Sequence, residues 1–157
     1  MEQRINVYAK GLAAMRAIYG LGLYTAKASV EKSLMDLVFF RISQINGCAY
    51  CLSADAKTLR DNGESEQRLF VLNAWRESTL YTERERAALA WAEAVTNVQD
   101  GHVSDDVYEA ARIHFSEEEL IDLTVGVLTI NCYNRVNIAF RITGGAHEPA
   151  VLEGKSK

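Results

Sequence analysis

The chain has 157 residues, 48% of them hydrophobic, which suits a single domain spanning residues 1–157 with a sizeable core. A net charge of -4 without a basic block argues against nucleic acid as a partner. Arg4, Lys10 and Arg16 interrupt the N-terminal apolar residues, and no apolar run approaches the ~20 residues that span a bilayer, so a cytoplasmic protein without membrane contact is expected.

The first part of the chain is predicted to form three helices. Residues 4–20 carry spaced apolar side chains and are expected to form one helix that ends near Gly20 or Gly22. Residues 31–45 have a wide apolar surface, as expected for a helix at the centre of the fold. The Asn46-Gly47 pair then predicts a turn, and a further helix is expected over residues 48–60.

The remainder is also predicted to be helical. After a short helix, two helix starts of the capping-box type stand at Thr82 and Ser116, each with a glutamate three residues later. Another short helix is expected to open at Ser104. The last helix is expected to run to about Phe140, followed by a mobile tail beyond Gly144. No segment alternates apolar and polar residues over a sustained length. The predicted fold is all-α, with six to seven helices around a central antiparallel pair.

Residues 46–55 are the stretch in which chemistry is expected. Cys48 and Cys51 are three residues apart, so one helical turn brings both thiols to one side and lets them close a disulfide ring. Cys48 is expected at the start of the helix, where free N–H groups and the helix dipole favour a thiolate. Asp55 follows Cys51 by four residues and lies on the same stripe of the helix.

Helix geometry places a second carboxylate, Asp36, near this stripe. Asp36 precedes the Asn46-Gly47 turn by about ten residues, and Asp55 follows the turn by about eight. At roughly 1.5 Å per residue, the two side chains reach similar heights on an antiparallel helix pair. We therefore expect Asp36 and Asp55 to face each other, with Cys51 between their level and the turn.

Asp36, residues 37–51 with their CxxC pair, and residues 82–93 resemble the carboxymuconolactone decarboxylase family, and more narrowly its alkylhydroperoxidase D-like branch. The resemblance covers roughly residues 15–145. The motif of that branch is a Glu, eleven residues, CxxC, three residues and a His, and the same spacing runs here from Asp36 to Asp55. The resemblance implies an all-helical homo-oligomer, commonly a trimer or a hexamer.

The resemblance also implies an activity. It assigns catalytic roles to Cys48, Cys51, Asp36 and Asp55. One cysteine would attack a hydroperoxide and become a sulfenic acid, the other would condense with it to a disulfide, and a dithiol reductant of unknown identity would restore the pair. This cycle needs neither a cofactor nor a metal.

Two positions depart from the family motif. Asp36 replaces the Glu, which keeps the acid and shortens its reach by one methylene. Asp55 replaces the His, and an ordinary aspartate is a much poorer base for a thiol than histidine is. Repulsion between facing Asp36 and Asp55 carboxylates would compensate if it raised the pKa of one of them.

Other interpretations of these residues remain open. A CxxC pair is also half of a structural zinc site, although the remaining candidates, Cys132, His102, His114 and His147, form no second pair. Buried, inert cysteines and two ordinary helix-surface aspartates are a further possibility. The alternative function is a non-catalytic or redox-sensing oligomer with a degenerate proton relay. A decarboxylase is less favoured, because the lactone decarboxylases of this superfamily lack the cysteine pair.

The last predicted helix contains a polar insertion of Asn131, Asn134, Arg135 and Asn137. Such groups need hydrogen-bond partners, either in another subunit or within a wet pocket, and packing between protomers is the favoured interpretation. Together with the wide apolar surface of residues 31–45, this insertion predicts a homo-oligomer.

Overall fold

A computed structural model of the protein describes residues 2–143, and this part of the chain contains helices and no strands, as predicted. The eight α-helices are α1 (Val7–Lys10), α2 (Leu12–Thr25), α3 (Lys32–Asn46), α4 (Ala49–Asp61), α5 (Glu66–Val71), α6 (Glu83–Thr96), α7 (Asp105–His114) and α8 (Glu117–Ala139). Two 3-10 segments, Leu72–Glu77 and Val98–Asp100, follow α5 and α6. The tail expected to be mobile beyond Gly144 lies outside the described residues.

The prediction of a single helix over residues 4–20 is wrong, because two helices occupy this region. Gly11 ends α1, where its N–H donates to the Val7 carbonyl at 2.8 Å, and α2 begins at the next residue. Helix α2 then continues through Gly20 and Gly22 to Thr25. Glycine weakens a helix without stopping it, and Gly22 has a packing reason, since a Cβ there would lie 3.1 Å from the Tyr133 hydroxyl.

The central pair, α3 and α4, begins and ends within one residue of the predicted limits. Gly47 ends α3 in the left-handed conformation, with a φ of 67°, which glycine adopts without steric cost. The N–H groups of Gly47 and Cys48 donate to the carbonyls of Gln44 and Ser43, at 3.3 and 3.1 Å. The tight turn between the two helices follows from this one glycine.

Both predicted capping boxes are confirmed. The Thr82 hydroxyl accepts the Glu85 N–H at 3.2 Å, while the Glu85 carboxylate accepts the Thr82 N–H at 2.7 Å. Ser116 and Glu119 repeat the arrangement at 3.1 and 2.7 Å and start α8. Phe140 caps the other end of α8, as predicted.

Helix α3 is at the centre because it packs against α4, α6 and α8. One apolar cluster joins α3 to α6 and α8 and includes Val38, Ile42 and Val127; another, with Leu37 and Leu89, joins α3 to α4 and α6. The wide apolar surface seen in the sequence of α3 is thus buried on more than one side within the subunit. No helix among residues 2–143 has the length and apolar character to cross a membrane.

Candidate active site

Cys48 and Cys51 lie at the start of α4, where Cys48 is the capping residue and Cys51 is in the first turn. The two residues form a disulfide with their Cα atoms 5.4 Å apart, and both are buried, with 1% and 4% exposure. The Cys51 backbone N–H donates to Cys48 Sγ at 3.3 Å. Because N–H groups at a helix N-terminus carry partial positive charge, this contact favours a thiolate at Cys48 once the pair is reduced.

The sulfur of Cys51 receives its hydrogen bond from a different helix. Asn137, near the end of α8, donates from Nδ2 to Cys51 Sγ at 3.2 Å, and its side chain is buried. Each sulfur of the pair therefore has an N–H donor, Cys48 from the backbone of α4 and Cys51 from a side chain of α8. Both donors interact more strongly with a negative sulfur than with a neutral one.

Asp55 lies one turn beyond Cys51 on α4 and is half-buried. Burial of its carboxylate away from water raises the pKa of Asp55 to about 7. A hydrogen bond from Ser43 Oγ, at 3.1 Å, lowers this pKa, and the negative charge of Asp36 raises it. A carboxyl group with this pKa exchanges a proton readily near neutral pH. That property is required of a general acid or base.

Asp36 has its own partners on the outer side of α3. Its carboxylate pairs with Lys32 one turn earlier, accepts a hydrogen bond from Asn62 Nδ2 at 3.4 Å, and lines a surface cavity of about 310 Å³. Its charge reaches Asp55 but is the smallest of the causes acting on that pKa. The repulsion expected from Asp36 therefore contributes to the raised pKa of Asp55, and burial of Asp55 contributes more.

Four polar side chains form an amide network between α3 and α8, made up of Ser43, Asn46, Asn131 and Asn134. Asn134 donates to Ser43 Oγ at 3.1 Å, and Asn46 donates to the side-chain oxygens of Asn134 and Asn131 at 2.8 and 2.9 Å. Since Ser43 also donates to Asp55, the network ends at the carboxyl group on α4.

The amide network corrects the prediction that the polar insertion of the last helix packs between protomers. Asn131, Asn134 and Asn137 are buried within a single subunit and have partners there. Arg135 is exposed, and its guanidinium donates back to the side-chain oxygen of Asn131. The reason is that α3 presents Ser43 and Asn46 to the same side of α8, which satisfies the amides without a second chain.

Sequence reasoning missed Ser43 and the contact between Asn137 and Cys51. Ser43 has one local signal: it is a polar residue within a helix whose other residues indicate burial, and a buried hydroxyl needs a partner. Asn137 belongs to a recognisable polar insertion, but its partner is 86 residues away along the chain. No local pattern specifies a pairing at that separation.

The zinc interpretation required further ligands near the CxxC pair. Among residues 2–143, no three His, Cys, Asp or Glu side chains are grouped so that they hold a metal ion. Cys132, on α8, is half-buried and is not part of a disulfide.

Comparison with known proteins places this site in a family. The profile of the carboxymuconolactone decarboxylase family matches residues 11–94, which are more than half of the chain and include both cysteines of the pair. The chain belongs to this family. Among its relatives, the uncharacterized protein YdfG of Bacillus subtilis is 35% identical over 139 residues, which are 88% of this chain and 95% of YdfG.

Two further relatives of this family carry the AhpD name. One is a solved structure from Agrobacterium tumefaciens, of a protein of unknown function described as a candidate antioxidant defence protein AhpD. It is 38% identical to this chain, with a TM-score of 0.90, and the match covers 93% of this chain and 100% of that one. The alkyl hydroperoxide reductase AhpD of Nocardia farcinica is 37% identical over 71 residues, 41% of this chain and 40% of that protein. The family member described here thus has an AhpD-like fold with a CxxC pair.

Proposed function

We propose that the protein is a thiol-dependent peroxidase of the AhpD-like type, in which Cys48 and Cys51 cycle between dithiol and disulfide. The observation that carries the proposal is the geometry of the pair: the two sulfurs lie within bonding distance at the start of α4, and each has an N–H donor. Membership of the family and the similarity to proteins named AhpD support the same reaction class.

The proposed reaction proceeds in two steps. A cysteine thiolate attacks one oxygen of a hydroperoxide, so that an S–O bond forms, the O–O bond breaks and the other oxygen leaves as an alcohol after taking a proton. The second cysteine then attacks the sulfenic sulfur, water leaves and the disulfide forms. The carboxylate form of Asp55 accepts the thiol proton, through intervening water, and its acid form returns a proton to the leaving oxygen.

A dithiol reductant completes the cycle by thiol–disulfide exchange, which transfers two electrons to the pair. The proposed setting is the cytoplasm, where such reductants are kept reduced. We also propose a homo-oligomer, with the trimer or hexamer of the family resemblance as its expected size. Large apolar side chains that are exposed in the single subunit support it, namely Ile113, Ile121 and Leu128.

One observation favours the alternative of a redox-sensing oligomer with little turnover. Both cysteines are at most 4% exposed, so a protein reductant reaches them only after local movement. A sensor requires a pair that oxidises and persists, and it does not require rapid reduction. The two functions differ in whether peroxide consumption continues when reductant is in excess.

Peroxide consumption with excess dithiothreitol tests the proposal. The wild type is expected to consume cumene hydroperoxide continuously, whereas Cys48→Ser and Cys51→Ser lose activity by on the order of 100-fold, because neither can complete the disulfide cycle. Cys132→Ser is the matched control and is expected to keep the wild-type rate. A wild type that oxidises once and then stops would support the sensor, and one that does not oxidise at all would exclude both functions.

A further inference from the structure

Asn137, on α8, donates a hydrogen bond to Cys51 Sγ, and this polar contact has no assigned role in the proposed cycle. The N···S distance is 3.2 Å, and the donor is 5% exposed, so water does not replace it easily. The residue is fixed from both directions, since its backbone is part of α8 and its carbonyl accepts the Ile142 N–H at 2.9 Å.

This contact is stronger in one redox state than in the other. A sulfur in a disulfide is neutral and accepts hydrogen bonds weakly, whereas a thiolate is charged and accepts them strongly. A fixed donor therefore stabilises the open, reduced pair relative to the closed disulfide. The contribution is largest when Cys51 carries the negative charge.

Charged groups on α3 and α8, the helices that pack against α4, have other partners. On α3, Asp36 pairs with Lys32, and Arg41 pairs with Glu93 at 2.7 Å. On α8, the guanidinium of Arg135 donates to Asn131.

On α4 itself, the nearest charged residue is Asp55, one turn beyond Cys51, which accepts a hydrogen bond from Ser43. Its negative form opposes a thiolate at Cys51. No cation among these groups is free to do for Cys51 what the helix N-terminus does for Cys48.

We propose that Asn137 is a positioning residue that holds the Cys51 sulfur and stabilises its thiolate when the disulfide opens. This inference rests on the proposed dithiol cycle.

In the reduction step, a thiolate of the dithiol reductant attacks Cys48 Sγ and forms a mixed disulfide. The bond between Cys48 and Cys51 breaks, and its electron pair passes to Cys51 Sγ. The second thiolate of the reductant then releases Cys48, and the reductant leaves as its own disulfide. A leaving sulfur that is stabilised as an anion departs faster.

Site-resolved alkylation tests the assignment without peroxide. The reduced wild type, Asn137→Leu and Asn137→Asp are treated with iodoacetamide over a series of pH values, and peptide mass spectrometry separates the adducts of Cys48 and Cys51. In Asn137→Leu, which keeps the volume and removes the donor, the Cys51 rate near pH 7 is expected to fall about tenfold, while the Cys48 rate changes less than about twofold. Asn137→Asp is expected to lower the Cys51 rate further, because an acceptor replaces the donor.

The redox equilibrium gives a second readout. In mixtures of reduced and oxidised dithiothreitol, Asn137→Leu is expected to shift the equilibrium about tenfold toward the disulfide, since its reduced form loses the stabilised thiolate. Thr129→Val is the matched control, because Thr129 is a buried polar residue of the same helix whose hydroxyl donates to the Val125 carbonyl one turn earlier, at 2.7 Å. Its alkylation profile and redox equilibrium are expected to match the wild type.

Unchanged Cys51 alkylation in both folded Asn137 variants would overturn the assignment. If neither variant folds, NMR of the reduced wild type provides the test. The ¹H–¹⁵N resonances of the Asn137 side chain are expected to shift as Cys51 loses its proton, and unchanged resonances would refute the proposed role of the contact. Because none of these measurements uses a hydroperoxide, failure of the peroxidase proposal and failure of this inference are observed separately.

Discussion

At position 55, the surroundings of an aspartate give it a pKa close to that of a histidine. The family motif has a histidine at this position, which titrates near neutrality without help. Burial raises the pKa of Asp55 to about 7, so its carboxyl group holds a proton about as firmly as an imidazole does. The charges differ, since the basic form of Asp55 is negative and its acid form is neutral. A negative carboxylate repels a neighbouring thiolate, whereas a neutral imidazole does not, so aspartate is the less favourable base at this position.

The raised pKa predicts a pH dependence of stability. In the unfolded chain Asp55 titrates at its ordinary lower pKa, so between about pH 4 and pH 7 the folded protein binds a proton that the unfolded chain has lost. Stability contributed by Asp55 is therefore present at low pH and is lost as pH rises through about 7. Asp55→Asn removes this loss, and its free energy of unfolding relative to wild type is expected to increase by about 4 kcal/mol across the window.

Urea unfolding at several pH values measures this difference. Asp61→Asn, which removes an exposed carboxylate from the same helix, is the control for the loss of a negative charge from α4. A difference between Asp55→Asn and wild type that is constant across the window would contradict the raised pKa.

The same residue predicts a pH dependence of the proposed peroxidase activity. Only the carboxylate form accepts the thiol proton, so the wild-type rate is expected to rise as pH passes through about 7. Asp55→Asn should lower the rate by about 10²-fold and abolish this rise. Asp55→His should keep activity near pH 7, because imidazole titrates in the same range. Steady-state peroxide consumption against pH measures all three, and equal profiles would remove Asp55 from the proton transfer.

The packing of α3 against α8 depends on one glycine. A Cβ at Gly126 would overlap Sδ of Met35, a buried side chain of α3, and would lie 2.9 Å from its Cε. In Gly126→Ala the methionine must move within a packed core, and a net destabilisation of about 1–2 kcal/mol is expected despite the better helix propensity of alanine. Since these two helices carry the amide network, the alkylation rates of the cysteines are expected to change as well.

Gly20→Ala is the matched control for this prediction. Gly20 lies inside α2, and a Cβ there would meet no atom within 4 Å. Alanine is expected to stabilise this helix by about 0.5–1 kcal/mol. Thermal or urea unfolding of both variants measures the contrast, and a stabilised Gly126→Ala protein would mean that Met35 adapts without cost.

The elements differ in how far the sequence specifies them. The limits of α6 and α8 could be predicted because each start is a local signal, a Thr or Ser followed by a Glu three residues later. The turn between α3 and α4 is local as well, since it depends on Gly47. The break at Gly11 could not be distinguished from tolerated helix glycines such as Gly22, because the difference lies in what packs against each of them.

The site shows the same limit at a larger scale. The cysteine pair could be located from its spacing, since three residues span one helical turn. The partners of Asp55, Asn134 and Asn137 could not, because each contact joins residues of different helices. The wide apolar surface of α3 predicted a central helix correctly, yet only the fold shows that this surface is covered inside the subunit.

At the scale of the whole molecule, three helices contribute to one site. Helix α4 supplies the cysteines and Asp55, α3 supplies Ser43, and α8 supplies Asn137. Because α3 also lies at the centre of the core, small shifts of α8 against α3 alter the donor at Cys51 without touching either cysteine. Under the proposed role of Asn137, the redox properties of the pair depend on how α8 packs against the core.

Assembly is the remaining property of the whole molecule. The buried amides no longer support an interface, so the proposal of a homo-oligomer depends on exposed apolar side chains. Ile121 and Leu128 are 62% and 50% exposed and stand seven residues apart on one face of α8, and Ile121 shares a cavity of about 420 Å³ with Trp91 and Tyr108. An apolar helix face of this kind is typical of a contact with a second copy.

Light scattering at micromolar concentration is expected to give the mass of an oligomer, that is, a multiple of the 17.5 kDa subunit mass greater than one. The double change Ile121→Lys with Leu128→Lys should shift the protein toward the monomer, because two charges cannot be buried at the contact without partners. Phe70→Lys, at a side chain that is 76% exposed on α5, is the control and is expected to leave the mass unchanged. A wild type that scatters as a monomer would refute the oligomer, and a double variant with the wild-type mass would place the interface elsewhere than on this face of α8.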